Sequence, residues 1–371
     1  MFNSFKHFLI LFNTIRNFLI DGLRTSRPIF FVRLLRGYIA VRLFSKARIQ
    51  YLEIMITHAC NAKCDFCSNE LYDRRDRKQL LNREKVESII RQAADMDIPI
   101  LCFLGGEPLL DPNLFHYLEY TYDHGMMSMV GTNGQFLTEE NIKQLKKSHV
   151  GNIVVTISST DKKINDQITN LENYLDNALA GIRRGIKHGI PMTLKAVASQ
   201  EHFKSGEIQR IIALAKELNI PLSINPVVPT GAALKNYENK TLDSTLQEDL
   251  DALVLQHNSV STHLTNNYFG YGCPAGRAYL GITAFGDIIP CFFMPISYGN
   301  IWDTPLQDIF NRVLRSPLFK EGASTCVAAY DDNFIKEVIA PCFDDLTPNK
   351  QIPVPIEFHP KFDSKIDSLD I

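Results

Sequence analysis

"MITHACNAKCDFCSNE", residues 55–70, sets Cys60, Cys64 and Cys67 within eight positions, among asparagine, lysine and aspartate. The run begins inside YLEIMIT (51–57), an alternating apolar stretch that reads as a strand. Spacing of i, i+4, i+7 would suit three core cysteines on one helix face, but the polar residues between them favour a strand-to-helix loop. Zinc is a second reading, because thiolates suit it and His58 could add a fourth ligand. The paired CxxC of most zinc knuckles is missing. Iron–sulfur chemistry is the third reading, since clusters are held by cysteine thiolates. Three cysteines leave one iron of a four-iron cubane without a protein ligand, and an open metal position is how a protein presents a metal to a substrate.

Downstream of this loop, strand and helix patterns alternate. Further strands are expected at 99–104, 127–131, 152–158, 191–198 and 221–228. Helices are expected near 82–96, 112–123, 138–149, 172–188, 206–218 and 243–257. Six strand–helix units in series predict a parallel sheet, either an open or partial barrel or a doubly wound sheet. Residues 259–345 are richer in turns, with a hairpin expected between Tyr279 and Cys291 around Phe285, Gly286 and Asp287 and a helix near 304–315. The tail beyond Thr347 reads as an extended or mobile end.

The charge balance is uneven. Of 39 basic and 41 acidic residues, residues 1–49 hold nine Lys/Arg and only Asp21, so this leader is +8 and the rest of the chain −10. An acidic body argues against nucleic-acid binding. Residues 2–23 repeat large apolar side chains at three- and four-residue steps, and 30–44 mixes them with Arg33, Arg36 and Arg42. Such a leader suits an anionic membrane surface or packs on the body with its cations against the body's acids. There is no secretory signal and no stretch of spanning length. Eight cysteines in 371 residues are no small disulfide framework. A cytoplasmic setting, with the leader as the one candidate for peripheral contact with the membrane's inner face, fits best.

The CxxxCxxC of Cys60, Cys64 and Cys67 resembles the signature of radical S-adenosylmethionine (SAM) enzymes, and Phe66 matches the family's aromatic beside adenine. The resemblance extends to GGEP (Gly105, Gly106, Glu107 and Pro108) after the second strand, to Thr132 and Asn133 of GTNG after the third, and to Ser158 at the end of the fourth. It implies a partial (β/α)6 TIM-like barrel, with these motifs converging at the carboxyl ends of the strands. It implies a 4Fe–4S cluster on the three cysteines and SAM on the open iron, with these motif residues and Asn225 of the sixth strand around it. A low-potential donor of flavodoxin or ferredoxin type is implied as well. The family acid usually found soon after Ser158 is displaced here by Ser159 and Thr160.

Cys273, Gly276, Gly286 and Cys291 resemble the opening of the SPASM or twitch auxiliary-cluster domain. That resemblance implies one further 4Fe–4S cluster, with Cys326 and Cys342 as its remaining ligands. Cys102, in an apolar strand, reads as a small hydrophobe. The expected organisation is therefore a helical leader (1–48), a radical SAM core (49–258), a SPASM/twitch-like domain (259–346) and a tail (347–371). The implied activity is reductive cleavage of SAM to a 5′-deoxyadenosyl radical that takes hydrogen from a substrate. Candidate substrates are a peptide and a lipid or small metabolite at the membrane. An inactive iron–sulfur or zinc-binding structural protein is the alternative, against which the intact loop, GGEP and TNG all speak.

Overall fold

The computed structural model describes residues 22–23, 25–44, 46–69, 72, 80–228, 230–236, 244–262, 272–319, 323, 325–343 and 352–359. The helix expected over 2–23 lies almost wholly outside these residues. Parallel strands β1 (Tyr51–Thr57), β2 (Ile100–Gly105), β3 (Met127–Thr132), β4 (Asn152–Thr156), β5 (Met192–Ala198) and β6 (Leu222–Pro226) stand side by side in chain order. Alternation along each strand makes the two faces. Leu52, Ile54 and Ile56 of β1 join the core under the helices, whereas Tyr51, Glu53 and Met55 face the lumen.

Helices α2 (Arg83–Asp95), α3 (Leu114–Asp123), α4 (Glu139–Lys147), α5 (Lys162–Thr169), α6 (Tyr174–Lys187), α7 (Gln200–Lys204), α8 (Glu207–Glu217) and α9 (Ser244–Gln256) fill the connections. Local chemistry sets their ends. Asn82 accepts the Lys85 N–H and Thr138 the Asn141 N–H, each satisfying an orphan donor of a first turn. Val86, Ile89, Ile90 and Ala93 of α2 are buried at helical spacing. Gly125 and Gly189, at φ +70° each, end α3 and α6 in the left-handed conformation that glycine tolerates best.

The sheet runs past six strands at both edges. Short β7 (Val260–Thr262) joins β6 in parallel, and β8 (Tyr279–Ile282) joins β1 in parallel. β9 (Ile288–Ile289) then closes the expected hairpin antiparallel to β8. The cysteine-bearing region thus grows out of the barrel sheet. It also leans on α2: Leu306, opening α10 (Leu306–Arg315), donates its N–H to Gln92 (2.8 Å), and the Lys85 ammonium sits 4.5 Å over the Trp302 ring.

Helix α1 (Pro28–Phe44) covers the end of the barrel where the strands begin. Phe30 is buried against Ile100, Cys102, Met127 and Met129. Its cations meet groups in the turns before β2 and β3. Arg36 and Arg48 reach Asp97 at 3.3 and 2.8 Å, Arg27 reaches Asp123 at 2.7 Å, and Arg33 donates to the Ile98 carbonyl. For residues 28–44 this is the packing of leader on body, cation against acid. The tail is extended but not loose over 352–359. Val354 and Pro355 (β11) pair with Ile296 and Ser297 (β10), and His359 is fully buried against the Val338 carbonyl.

Candidate functional site

The three-cysteine loop leaves β1 and is tied down on three sides. Lys63 and Asp65 donate their N–H groups to Thr169 and Ile168, both 3.0 Å, at the end of α5. The Cys67 carbonyl accepts from Ala232 N–H, in the loop after β6. On the third side lies GGEP: Gly106 N–H reaches Thr57 O (2.9 Å) and Glu107 N–H reaches Ala59 O (2.8 Å). The glycines are what permit this approach. A Cβ on Gly105 would stand 2.5 Å from Thr57 O, and one on Gly106 would stand 2.3 Å from Ala59 O.

Glu107 is fully buried and joins two motifs. One carboxylate oxygen accepts the Thr132 hydroxyl (2.7 Å) and the Leu109 N–H (3.2 Å), and the other accepts the Asn133 N–H (2.9 Å). Burial pushes its carboxyl up to about 7, with the Asn133, Thr132 and Leu109 donors pulling the other way. Asn133 in turn donates its side-chain amide to Asn61, inside the cysteine loop (2.7 Å). The motifs after β1, β2 and β3 thus form one hydrogen-bonded unit, with Pro108 buried behind it.

A cavity of about 440 Å³ opens from this unit into the lumen. Cys60, Cys64, Cys67, Phe66, Gly105, Gly106, Thr132, Asn133 and Asn225 all line it. Glu107 and Pro108 do not, and neither does Ser158: its N–H is held by the Asn165 side chain, and Thr156 lines the cavity from that strand. Opposite the loop, Cys273, Cys291 and Cys326 line the same cavity. The cavity lining does not include Cys342, the expected fourth partner, although Cys291 and Cys342 both act on the buried Tyr72 hydroxyl. Cys342 is buried in the core, and its thiol donates to Val338 O at 3.2 Å.

The donor set fits iron–sulfur clusters. Burial pushes the Cys64 thiol far above its ordinary range, and nearby Cys67 and Cys60 push it further. Cys291 is raised the same way, by burial and then by Cys273 and Cys326. Buried thiols this close ionise together only around strong positive charge. Among the described residues, no three His, Cys, Asp or Glu side chains stand close enough to share one metal ion.

The motifs did not reveal Glu53, Lys195 and Tyr279, which also line the lumen. The available signal was a charged residue at an inward position of an otherwise apolar strand, in YLEIMIT and MTLKAVA. Cys102 faces the lumen too, close enough to Glu53 for that carboxylate to raise its thiol further after burial has done so.

Known proteins share both halves. Residues 54–198 match the radical SAM superfamily and 273–330 an iron–sulfur cluster-binding domain of the SPASM type, together more than half of the chain. An AdoMet-dependent heme synthase of Methanosarcina barkeri is 26% identical over 300 residues, 71% of this chain and 83% of that protein. A probable GTP 3',8-cyclase of Sulfurisphaera tokodaii is 24% identical over 305 residues, 77% of this chain and 94% of that protein. In fold, the chain resembles Streptococcus suis SuiB bound to precursor peptide SuiA. The TM-score is 0.59 at 21% identity, over 77% of this chain and 69% of that one. The chain belongs to the radical SAM superfamily, an enzyme with a 4Fe–4S cluster and SAM as cofactors and an auxiliary iron–sulfur domain of the SPASM type.

Proposed function

We propose that this enzyme takes a hydrogen atom from a small organic substrate held between two clusters in one cavity. Cys60, Cys64 and Cys67 hold the SAM-binding 4Fe–4S cluster, and Cys273, Cys291 and Cys326 hold an auxiliary one. The observation that carries this reading is that both cysteine trios line the same cavity. Bound together, the first cluster and SAM supply a 5′-deoxyadenosyl radical able to take a hydrogen atom from an unactivated carbon.

The chain's own residues position that chemistry. With SAM bound, Phe66 would lie beside adenine, and Thr132, Asn133 and Asn225 would border the nucleoside. Glu107 anchors the turn that brings the Gly105 and Gly106 backbone to the methionine end. Helix α1 shuts the lumen from below and keeps water out. A cavity of this size suits a small molecule or a single side chain. The reductant is of the flavodoxin or ferredoxin type. Anaerobically reconstituted protein with SAM and dithionite should release 5′-deoxyadenosine, and Cys64→Ala should release none. Equal yields from both, or none from the wild type, would sink the enzyme reading.

A specific observation favours contact with a membrane. Helix α1 is apolar on both sides: Val32 and Leu35 are exposed, as are its last residue Phe44 (65%) and, ahead of it, Leu23 (74%). An apolar face of this kind wants cover. The described arginines Arg27, Arg33, Arg36 and Arg48 are already engaged by the body, so apolar burial would do more of the binding than charge. Burying Val and Leu side chains stabilises by roughly 1.5–3 kcal/mol each. Val32→Glu/Leu35→Glu should therefore cut sedimentation with phosphatidylglycerol-containing vesicles by about tenfold or more. Unchanged sedimentation would reject membrane contact through this face.

A further inference from the structure

Three lumen residues are not used by the cluster-binding machinery. Glu53 of β1 accepts a hydrogen bond from the Tyr279 hydroxyl of β8, and the Tyr279 ring stacks on Tyr51 with centroids 6.0 Å apart. Lys195 belongs to β5, with three strands between it and β1 in the sheet. Lys195 and Glu53 both line the cavity, from β5 and β1, and the Lys195 charge acts on the Glu53 carboxyl. Burial raises the Glu53 carboxyl, and Lys195 and then Tyr279 pull it back down.

The pair is not closed. Among the described residues, no carboxylate stands within ion-pairing distance of the Lys195 ammonium. A half-buried ammonium lining a barrel gains from an anionic partner. The wall around it is built for a polar group, with Thr193 beside it and Ser223 and Ser261 on the next two strands. The opposite wall offers carbon in Met55, Leu104 and Met129, and its one carboxyl, Glu53, already accepts the Tyr279 hydroxyl. Lumen and cluster loop share one cavity, so a molecule seated here reaches toward Cys60, Cys64 and Cys67.

We propose that Lys195 receives a carboxylate of the substrate. The substrate class is then an amphiphilic carboxylic acid, its acid group on the β5–β7 wall and its apolar body along β1–β3. This rests on the radical SAM reading above but is tested without turnover, so the two can fail separately.

The test is calorimetry on the full-length, reconstituted protein with SAM and no reductant, using octanoate and its neutral counterpart octanamide as probes. Wild type should prefer octanoate by about tenfold or more, as a charge-assisted hydrogen bond warrants. Lys195→Arg should keep that preference. Lys195→Met should erase it, and Lys195→Gln, which stays polar, gives the same reading if the methionine variant does not fold. Equal affinity for the two probes in wild type, no octanoate binding, or a preference that survives in both neutral variants would overturn the acid subsite. The deoxyadenosine assay would still judge the enzyme reading on its own.

Discussion

A Gly106→Ala variant should lose about a hundredfold in SAM cleavage while remaining folded. The added methyl would sit 2.3 Å from Ala59 O and 2.5 Å from Ala59 C, both backbone atoms that cannot swing aside. The cysteine loop must then lift by a sizeable fraction of an ångström, starting one residue before Cys60. Misplacement by about 1 Å near reacting groups costs on the order of 10²-fold in rate. Overpacking itself costs roughly 1–3 kcal/mol in stability, which a core of this extent tolerates. Gly189→Ala is the matched control. Gly189 has a positive φ, +70°, which Gly106 does not, and a Cβ there meets only the Lys146 ammonium at 4.0 Å. It should cost about 1–2 kcal/mol and leave SAM cleavage unchanged. Equal activity loss in both variants would mean that the Gly106 effect is general destabilisation.

Cys326→Ala should lose about half of the iron, whereas Cys342→Ala should keep all of it. Two cubanes bring about eight irons per chain and one brings about four. Cys326 lines the shared cavity with Cys273 and Cys291, and the three influence one another electrostatically. Cys342 does not line that cavity, and its thiol donates to the Val338 carbonyl within the core that the other late cysteines also border. Losing a buried sulfur there leaves a small cavity, a cost of stability rather than of metal. Iron and sulfide analysis after anaerobic reconstitution reads the difference. Loss of about four irons from Cys342→Ala would restore the four-cysteine ligand set that the spacing suggested.

Much of the barrel was legible because its signals are local. Alternation in YLEIMIT, ILCFLG and MTLKAVA places β1, β2 and β5 to within a residue or so, and Thr138, Gly125 and Gly189 mark helix ends. The edges were not legible. Three-residue β7 carries too few positions for a period. Nothing within residues 279–282 announces a parallel pairing with β1, more than two hundred positions away. Helix α5 went unlisted because KKINDQIT is mostly polar, and it forms with Asp161 accepting from Lys163 and Ile164 N–H groups.

At the site, the motif residues were readable one by one, but what holds them was not. The role of Glu107 as the acceptor shared by Thr132 and Asn133 depends on β2 and β3 being neighbours. Which of the late cysteines border the cavity is equally non-local, since spacing counts sulfurs and folding decides which of them line one space. Lys195 gave a signal, a charge at an inward strand position, that only acquires meaning once β1 and β5 face each other.

The central claim is that one cavity holds two clusters, only one of which answers to SAM through Cys60, Cys64 and Cys67. Electron paramagnetic resonance of the reconstituted, dithionite-reduced chain, with and without SAM, tests it most directly. The prediction is two overlapping cluster signals, one of which shifts when SAM is added. Cys64→Ala should remove the shifting signal and keep the other. A single signal indifferent to SAM, or a SAM-dependent shift that persists in Cys64→Ala, would contradict it.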